Sequence, residues 1–273
     1  MKKRKIVKNI AIVIGLLAIT LLNSSTSLRK SDFKVKTVVI DAGHGGHDPG
    51  THGAMSKEKD IVLKVALQVG SYIEEYLPDV KVIYTRQEDK FVELNVRANI
   101  ANKNEADVFI SVHANSLPTN TSDDRKASVY GTETYVMGVQ NSERNLEVAK
   151  RENSVILLEE DYEKKYDFDP KSPESLILFS LTQSAFQEKS IYLANMIEHQ
   201  FSNRAGRRSY GVKQSSLYLM WSTSMPSVLV EIGYLSNPKE EMELNNSSIQ
   251  ANIASGIFRA FRDYKNEIES LNK

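Results

Sequence analysis

Val38-Val39-Ile40-Asp41-Ala42-Gly43-His44-Gly45-Gly46 is a run of β-branched residues that ends in a histidine held between glycines. It reads as a buried strand whose C-terminal end opens into a tight turn. Glycines on both sides of His44 let the backbone bend sharply and leave the imidazole open to a ligand. A second apolar run, Val108-Phe109-Ile110-Ser111-Val112, delivers His113 in the same way. An α/β sheet places its ligands beyond the carboxyl ends of its strands, so two histidines at separate strand tips mark a candidate metal site.

The flanking sequence alternates between strand and helix patterns. Residues 59–77 carry Ile61, Val62, Val65, Ala66, Val69, Ile73 and Tyr76 at helical spacing, and Pro78 ends the run. Residues 80–86 read as a strand, 94–103 as a helix, and 131–138 as a strand bounded by glycines. Residues 217–219 and 228–232 read as further strands, and 249–264 as a closing amphipathic helix. This pattern predicts an α/β fold with an open, mostly parallel or mixed twisted sheet and helices on both faces. Segment 139–206 breaks the alternation and predicts a mainly helical insertion. It begins with a charged helical stretch at 141–160, and a long helix is expected from Ser172 to about Arg204, with Pro173 at its first turn.

Composition narrows the class. The chain has 273 residues, 41% of them hydrophobic, no cysteine and a formal net charge of zero. One domain of this size buries an adequate core, and thiolate metal sites and disulfides are excluded. Five basic and no acidic residues lie in the first 27, so the rest is slightly acidic and gives no reason to expect nucleic-acid binding. Lys2, Lys3, Arg4, Lys5 and Lys8 precede an apolar core at 10–22, and Ser24-Ser25-Thr26-Ser27 follows. That order predicts a signal peptide over 1–27, with an uncleaved N-terminal anchor as the alternative, and delivery to the periplasm or cell envelope. The apolar core is short for a membrane span, which takes about 20 residues. A linker at 28–35, a catalytic domain at 36–268 and a tail at 269–273 complete the expected organisation. Contact with a membrane is expected only through the N-terminal segment, and the protein is expected to be a monomer.

Hydrolytic zinc sites keep three protein ligands of mixed imidazole and carboxylate type and one open position. His44 and His113 supply two. Glu58 is the natural third, since it opens a helix after the His44 loop, although a first-turn acid favoured by the helix dipole would look the same. His47 and His52 compete from a polar loop, and His199 falls within the long helix as a structural residue. Glu231 interrupts the apolar run Ser227-Val228-Leu229-Val230-Glu231-Ile232. Burying a carboxylate there costs several kcal/mol unless a charge or metal compensates, which makes Glu231 the candidate general base.

These residues fall into motifs that resemble the type-3 family of zinc-dependent N-acetylmuramoyl-L-alanine amidases. The motifs are 40–46 with Asp48-Pro49-Gly50, then Lys57-Glu58-Lys59-Asp60, and Tyr84-Thr85-Arg86 with Asp89 and Arg97. Ser111-Val112-His113-Ala114-Asn115 and 226–237 complete the set. They occur in the family's order across residues 36–265. The resemblance implies one zinc ion per chain held by His44, Glu58 and His113, with Glu231 as the catalytic acid–base group. Asn115, Arg86 and Arg97 are implied substrate-binding residues. It further implies peptidoglycan as substrate and hydrolysis of the amide between the lactyl group of muramic acid and L-alanine. A zinc peptidase acting on free peptides, or an inactive wall-binding regulator, are the alternatives. Some family members carry a helix that blocks the site until an activator protein displaces it. Segment 139–206, rich in acids (Glu152, Glu159, Glu160, Asp161, Asp167, Asp169), is expected either to restrain activity in that way or to form a wall of the substrate groove.

Overall fold

Six strands form a single mixed sheet in the spatial order β2-β1-β3-β6-β4-β5. The computed structural model describes residues 33–138, 142–166, 172, 174 and 185–271. The expected signal peptide lies outside the described residues, as do most of the linker, Asp167, Asp169 and residues 175–184 of the expected long helix; 185–186 form a turn, so the helix that follows begins only at Gln187. The chain divides into two units, 1–33 with 271–273 and 34–270, and all that follows concerns the second. Among the described residues no helix is long and apolar enough to cross a membrane.

The strands are β1 (Thr37–Ala42), β2 (Lys81–Tyr84), β3 (Val108–Asn115), β4 (Thr132–Met137), β5 (Ser209–Ser215) and β6 (Ser227–Tyr234). The helices are α1 (Glu58–Tyr76), α2 (Leu94–Lys103), α3 (Asp123–Ser128), α4 (Glu143–Asn153) and α5 (Tyr162–Lys165). They continue with α6 (Gln187–Asn203), α7 (Tyr218–Trp221), α8 (Pro238–Leu244) and α9 (Ser247–Leu271). A 3₁₀ turn, Ser154–Leu158, extends α4. Strands β2, β1, β3 and β6 run parallel, whereas β4 pairs antiparallel with β6 and parallel with β5. The central strands are buried on both faces, which explains why they read as nearly unbroken apolar runs.

The pleat sorts side chains onto two faces. Val39, Phe109, Tyr135 and Leu229 share one apolar cluster with residues of α2, α4 and α7. On the opposite face, Thr132 and Thr134 of β4 donate to Glu198 of α6. Toward the C-terminal ends of the strands, four residues beyond Phe109 on β3 and two beyond Leu229 on β6, the same face presents His113 and Glu231 in direct register, with Glu133 of β4 opposite Glu231.

Two expectations change. Residues 217–219 do not form a strand: Leu217 caps α7 and, with Leu219, fills the core as part of a short helix. The strand in this region is β5, a half-buried edge whose mixed sequence carries little periodic signal. Strands β4 and β5 are parallel, so a crossover must join them, because a tight turn cannot. Segment 139–206 makes that crossover. Its last helix, α6, packs on β4 and β5 as a covering layer, while α4 lies on the side that carries the histidines.

Candidate metal centre

The turn after β1 is tighter than glycine spacing alone requires, because His44 itself has φ of 59°. A non-glycine residue in this left-handed region costs on the order of 1–3 kcal/mol and needs external support. Two buried arginines supply it. Arg86 donates to the carbonyls of Ala42 and Gly43 at 2.9 and 2.7 Å, and Arg97 to those of Ala42 and His44 at 2.7 Å each. Arg97 also pairs at 2.8 Å with the fully buried Asp41, which accepts hydroxyl bonds from Thr85 and Ser111. Burial pushes the Asp41 carboxyl up, but the guanidinium and the two hydroxyls outweigh it and hold it below the ordinary range. Arg86 and Arg97, which the motif resemblance implied as substrate-binding residues, are both buried here. They sit beneath the site, and their donors go to the carbonyls that shape it.

Small residues admit the rings. A methyl group on Gly43 would lie 2.4 Å from the His113 imidazole, and one on Gly50 would lie 2.6 Å from Glu58 Oε2 and 2.7 Å from the His44 ring. His44 Nδ1 hydrogen-bonds Asp48 Oδ2 at 2.7 Å, which turns Nε2 inward. Glu58, wholly buried at the start of α1, accepts from the backbone amides of Thr51 (2.8 Å) and Ala114 (2.9 Å). Its Oε1 stands 3.2 Å from His44 Nε2 and 3.1 Å from His113 Nδ1. One ligand atom from each of His44, Glu58 and His113 falls within 4.8 Å of the other two. His47 instead packs exposed against Phe91, and His52 is exposed on the groove edge.

Donor chemistry supports a metal. Two imidazole nitrogens and one carboxylate oxygen suit zinc. His44 Nε2 and Glu152 Oε2, both buried, make no aligned hydrogen bond although they lie 3.5 Å apart. Burial alone would drive the imidazoles neutral and the acids protonated. Instead Glu58 and Glu152 hold His44 and His113 charged, and the histidines hold both carboxyls low. Two imidazoles and two carboxyls that converge in this way suit a shared cation.

Glu152 comes from α4. Its Oε2 lies 3.0 Å from His113 Nδ1, so a fourth candidate ligand atom, from a second carboxylate, occupies the mouth of the cluster. The neighbouring Arg151 reaches Glu231 Oε1 at 2.9 Å, Glu152 Oε1 at 2.7 Å and Asn115 Oδ1 at 3.0 Å. Glu231 is fully buried, and burial pushes its carboxyl up to about 8; Arg151 opposes the rise, while Glu152 and Glu58 add to it. Of the other acids in the segment, Glu159 accepts from the Leu94 amide and the Tyr166 hydroxyl, and Glu160 and Asp161 are exposed.

A groove of about 1100 Å³ runs past this cluster, lined by His44, His52, Asn115, Arg144, Arg151 and Tyr234 among others. Asn115, which the resemblance implied as substrate-binding, is among the lining residues. Glu133, Arg144 and Arg151 were not singled out from sequence. Arg144 and Arg151 sit in a charged helix whose pattern reads as a solvated face, and Glu133 in a strand whose neighbours are polar.

An open α/β sheet with a His–Glu–His cluster beyond its strand tips defines the class of site. The family model for N-acetylmuramoyl-L-alanine amidases matches residues 38–263, and the chain belongs to that family. It is 31% identical over 245 residues to the N-acetylmuramoyl-L-alanine amidase AmiA of Escherichia coli, covering 89% of this chain and 80% of that one. The catalytic domain of the amidase CwlV from Bacillus (Paenibacillus) polymyxa is 30% identical with a TM-score of 0.59, covering 85% of this chain and 98% of that one. The CwlD amidase of Clostridioides difficile, solved in complex with the GerS lipoprotein, shares the fold at 23% identity and a TM-score of 0.60, covering 85% and 99%.

Proposed function

We propose that this chain is a zinc-dependent N-acetylmuramoyl-L-alanine amidase of peptidoglycan, held at rest by its own helix α4. The observation that carries the reading is the convergence of His44 Nε2, Glu58 Oε1 and His113 Nδ1 at the strand ends of a chain of this family. His44, Glu58 and His113 would hold one zinc ion. Bound there, zinc supplies a Lewis acid and a water whose pKa falls to about 7. Glu231, on the strand next to His113, accepts the proton of the attacking water. Its raised proton affinity suits it to return that proton to the L-alanine nitrogen as the amide bond breaks. Asn115 lines the groove and orients what lies in it. The glycan strand stays intact.

In the resting form Glu152 stands against the open side of the ligand cluster, and Arg151 neutralises and covers Glu231. One helix thus masks both halves of the chemistry, and a partner protein that draws α4 away would release both at once. The alternative role, a wall of the groove, is also supported by position, since Glu143, Glu147 and Leu158 line the same groove. The basic and apolar N-terminal sequence supports export to the periplasm or cell envelope, where peptidoglycan lies. Mass analysis of the products from purified sacculi tests the reaction. Stem peptides beginning in L-alanine, lost with a chelator and restored by zinc, are expected; glycan fragments, or release indifferent to the chelator, would overturn it.

A further inference from the structure

A second carboxylate stands beside Glu231, and the hydrolysis described above does not use it. Glu133 pairs directly with Glu231 across the β4–β6 ladder, and its side chain is fully buried. Its two oxygens are treated differently. Oε2 accepts from the Tyr135 hydroxyl at 2.8 Å and from Asn115 Nδ2 at 3.2 Å. Oε1 faces only Arg144 Nη2 of α4, at 2.6 Å, in an ion pair that lacks hydrogen-bond alignment on either atom. The Arg144 guanidinium also lies 5.1 Å from the centre of the Tyr210 ring and 5.4 Å from that of Tyr234. Tyr234 is fixed in turn through its hydroxyl, which accepts from Asn115 Nδ2 at 3.1 Å. A carboxylate and two aromatic rings around one cation make a cage.

The walls and the occupant belong to different parts of the molecule. Glu133 and Tyr234 are set in sheet strands, and Tyr210 in the edge strand β5. Arg144 arrives on α4, the helix that also carries Arg151 and Glu152, and its own side chain is 40% exposed. Withdrawing α4 removes the cation and leaves a buried carboxylate without its ion-pair partner, next to Tyr234, which lines the groove that passes His44. A buried carboxylate in that state must gain either a proton or a new cation.

We propose that the Glu133–Tyr210–Tyr234 cage is a subsite for a primary ammonium group of the substrate, and that Arg144 is its internal stand-in. The inference rests on the amidase reading for the bearer of that ammonium, the diamino acid of a peptidoglycan stem peptide. Strands β4 and β6 are about 5 Å apart, and extended chain covers about 3.3–3.6 Å per residue, so one stem peptide reaches from the reacting amide beside Glu231 into the cage. Substrate amine and Arg144 then compete for one place. Substrate binding and withdrawal of α4 favour each other, since each supplies what the other needs.

Calorimetric titration with the tripeptide L-Ala-γ-D-Glu-L-Lys, and with its ε-acetylated form, tests the cage without relying on turnover. The full chain, its Arg144→Ala variant and the Arg144→Ala/Glu133→Gln double variant are compared. Emptying the cage should tighten binding of the free amine, within the 5- to 150-fold range of allosteric couplings. Acetylating the amine or adding Glu133→Gln should abolish the gain. Tyr210→Leu in the Arg144→Ala background should remove roughly 2- to 5-fold of it, the worth of one cation–π contact. This half-buried edge position also serves if the Glu133 variant does not fold. Unchanged affinity on Arg144→Ala, or a gain kept by the acetylated peptide, would overturn the proposal. The two readings fail separately: amine binding that follows the cage while sacculi stay uncut sinks the amidase reading alone. Cleaved sacculi with affinity indifferent to Arg144 and Glu133 sinks the cage alone.

Discussion

The two sides of the metal centre are fastened in opposite ways. On the β1–β3 side, His44, Glu58 and His113 rest on a charged scaffold in which Arg86, Arg97 and Asp41 bond to one another's neighbours and to three carbonyls of a single turn. On the other side, Arg144, Arg151 and Glu152 come on an 11-residue helix that buries Val148 and Ala149, with Leu146 partly buried against the same cluster and Val155 and Ile156 following in the 3₁₀ turn. Helix α4 also docks through Asn145 and Asn153, which bond to Gln214, Ser215, Ser216 and Tyr218 around the end of β5. Polar docking of this kind is worth about 0.5–1.5 kcal/mol per bond, because water competes for each group. The difference fits the proposed role of α4 as a restraint that a partner protein draws away.

That contrast is broken most sharply from the scaffold side of the chemistry. Glu231→Gln keeps the shape of the side chain and removes the proton acceptor. Turnover should fall by about 10²- to 10⁴-fold while bound zinc, measured by metal analysis, is retained. Near-normal release of stem peptides by this variant would remove Glu231 from the mechanism. Arg97→Met comes next. It leaves Asp41 buried without its cation and should cost about 3–5 kcal/mol of stability in denaturant titration. A loss of substrate affinity with stability unchanged would instead return Arg97 to the substrate-binding role that the motif resemblance implied.

Much of the scaffold side was legible in the sequence because each of its signals is local. A β-branched run ending in Gly-His-Gly states both the strand and what its tip presents, and Glu231 is conspicuous as a charge inside an apolar strand. The burial of Arg86 and Arg97 was not legible, for a physical reason. An arginine that serves carbonyls of a turn and one that serves a ligand look alike until burial is known. The other side was scarcely legible. Strand β5 is a half-buried edge with no strict alternation, and the apolar residues 217–219 drew the strand assignment to a short core helix. In α4, Glu152 reads together with Glu159, Glu160, Asp161, Asp167 and Asp169, with nothing to set it apart from them. Its neighbours Arg144 and Arg151 carry no pattern that separates a plug from a solvated face, since their targets lie on strands β4 and β6.

Basal hydrolysis of purified sacculi by zinc-loaded Glu152→Ala, compared with the unaltered chain and without any partner protein, bears most directly on the resting state. Removing the carboxylate that faces the ligand cluster leaves the scaffold intact and weakens the hold of α4. The rate of stem-peptide release should rise, by an amount within the 5- to 150-fold range of couplings between sites. Adding Arg151→Ala, which uncovers Glu231, should raise it further. A fall in rate, in protein that is folded and retains its zinc, would mean that α4 builds the groove and does not restrain the enzyme.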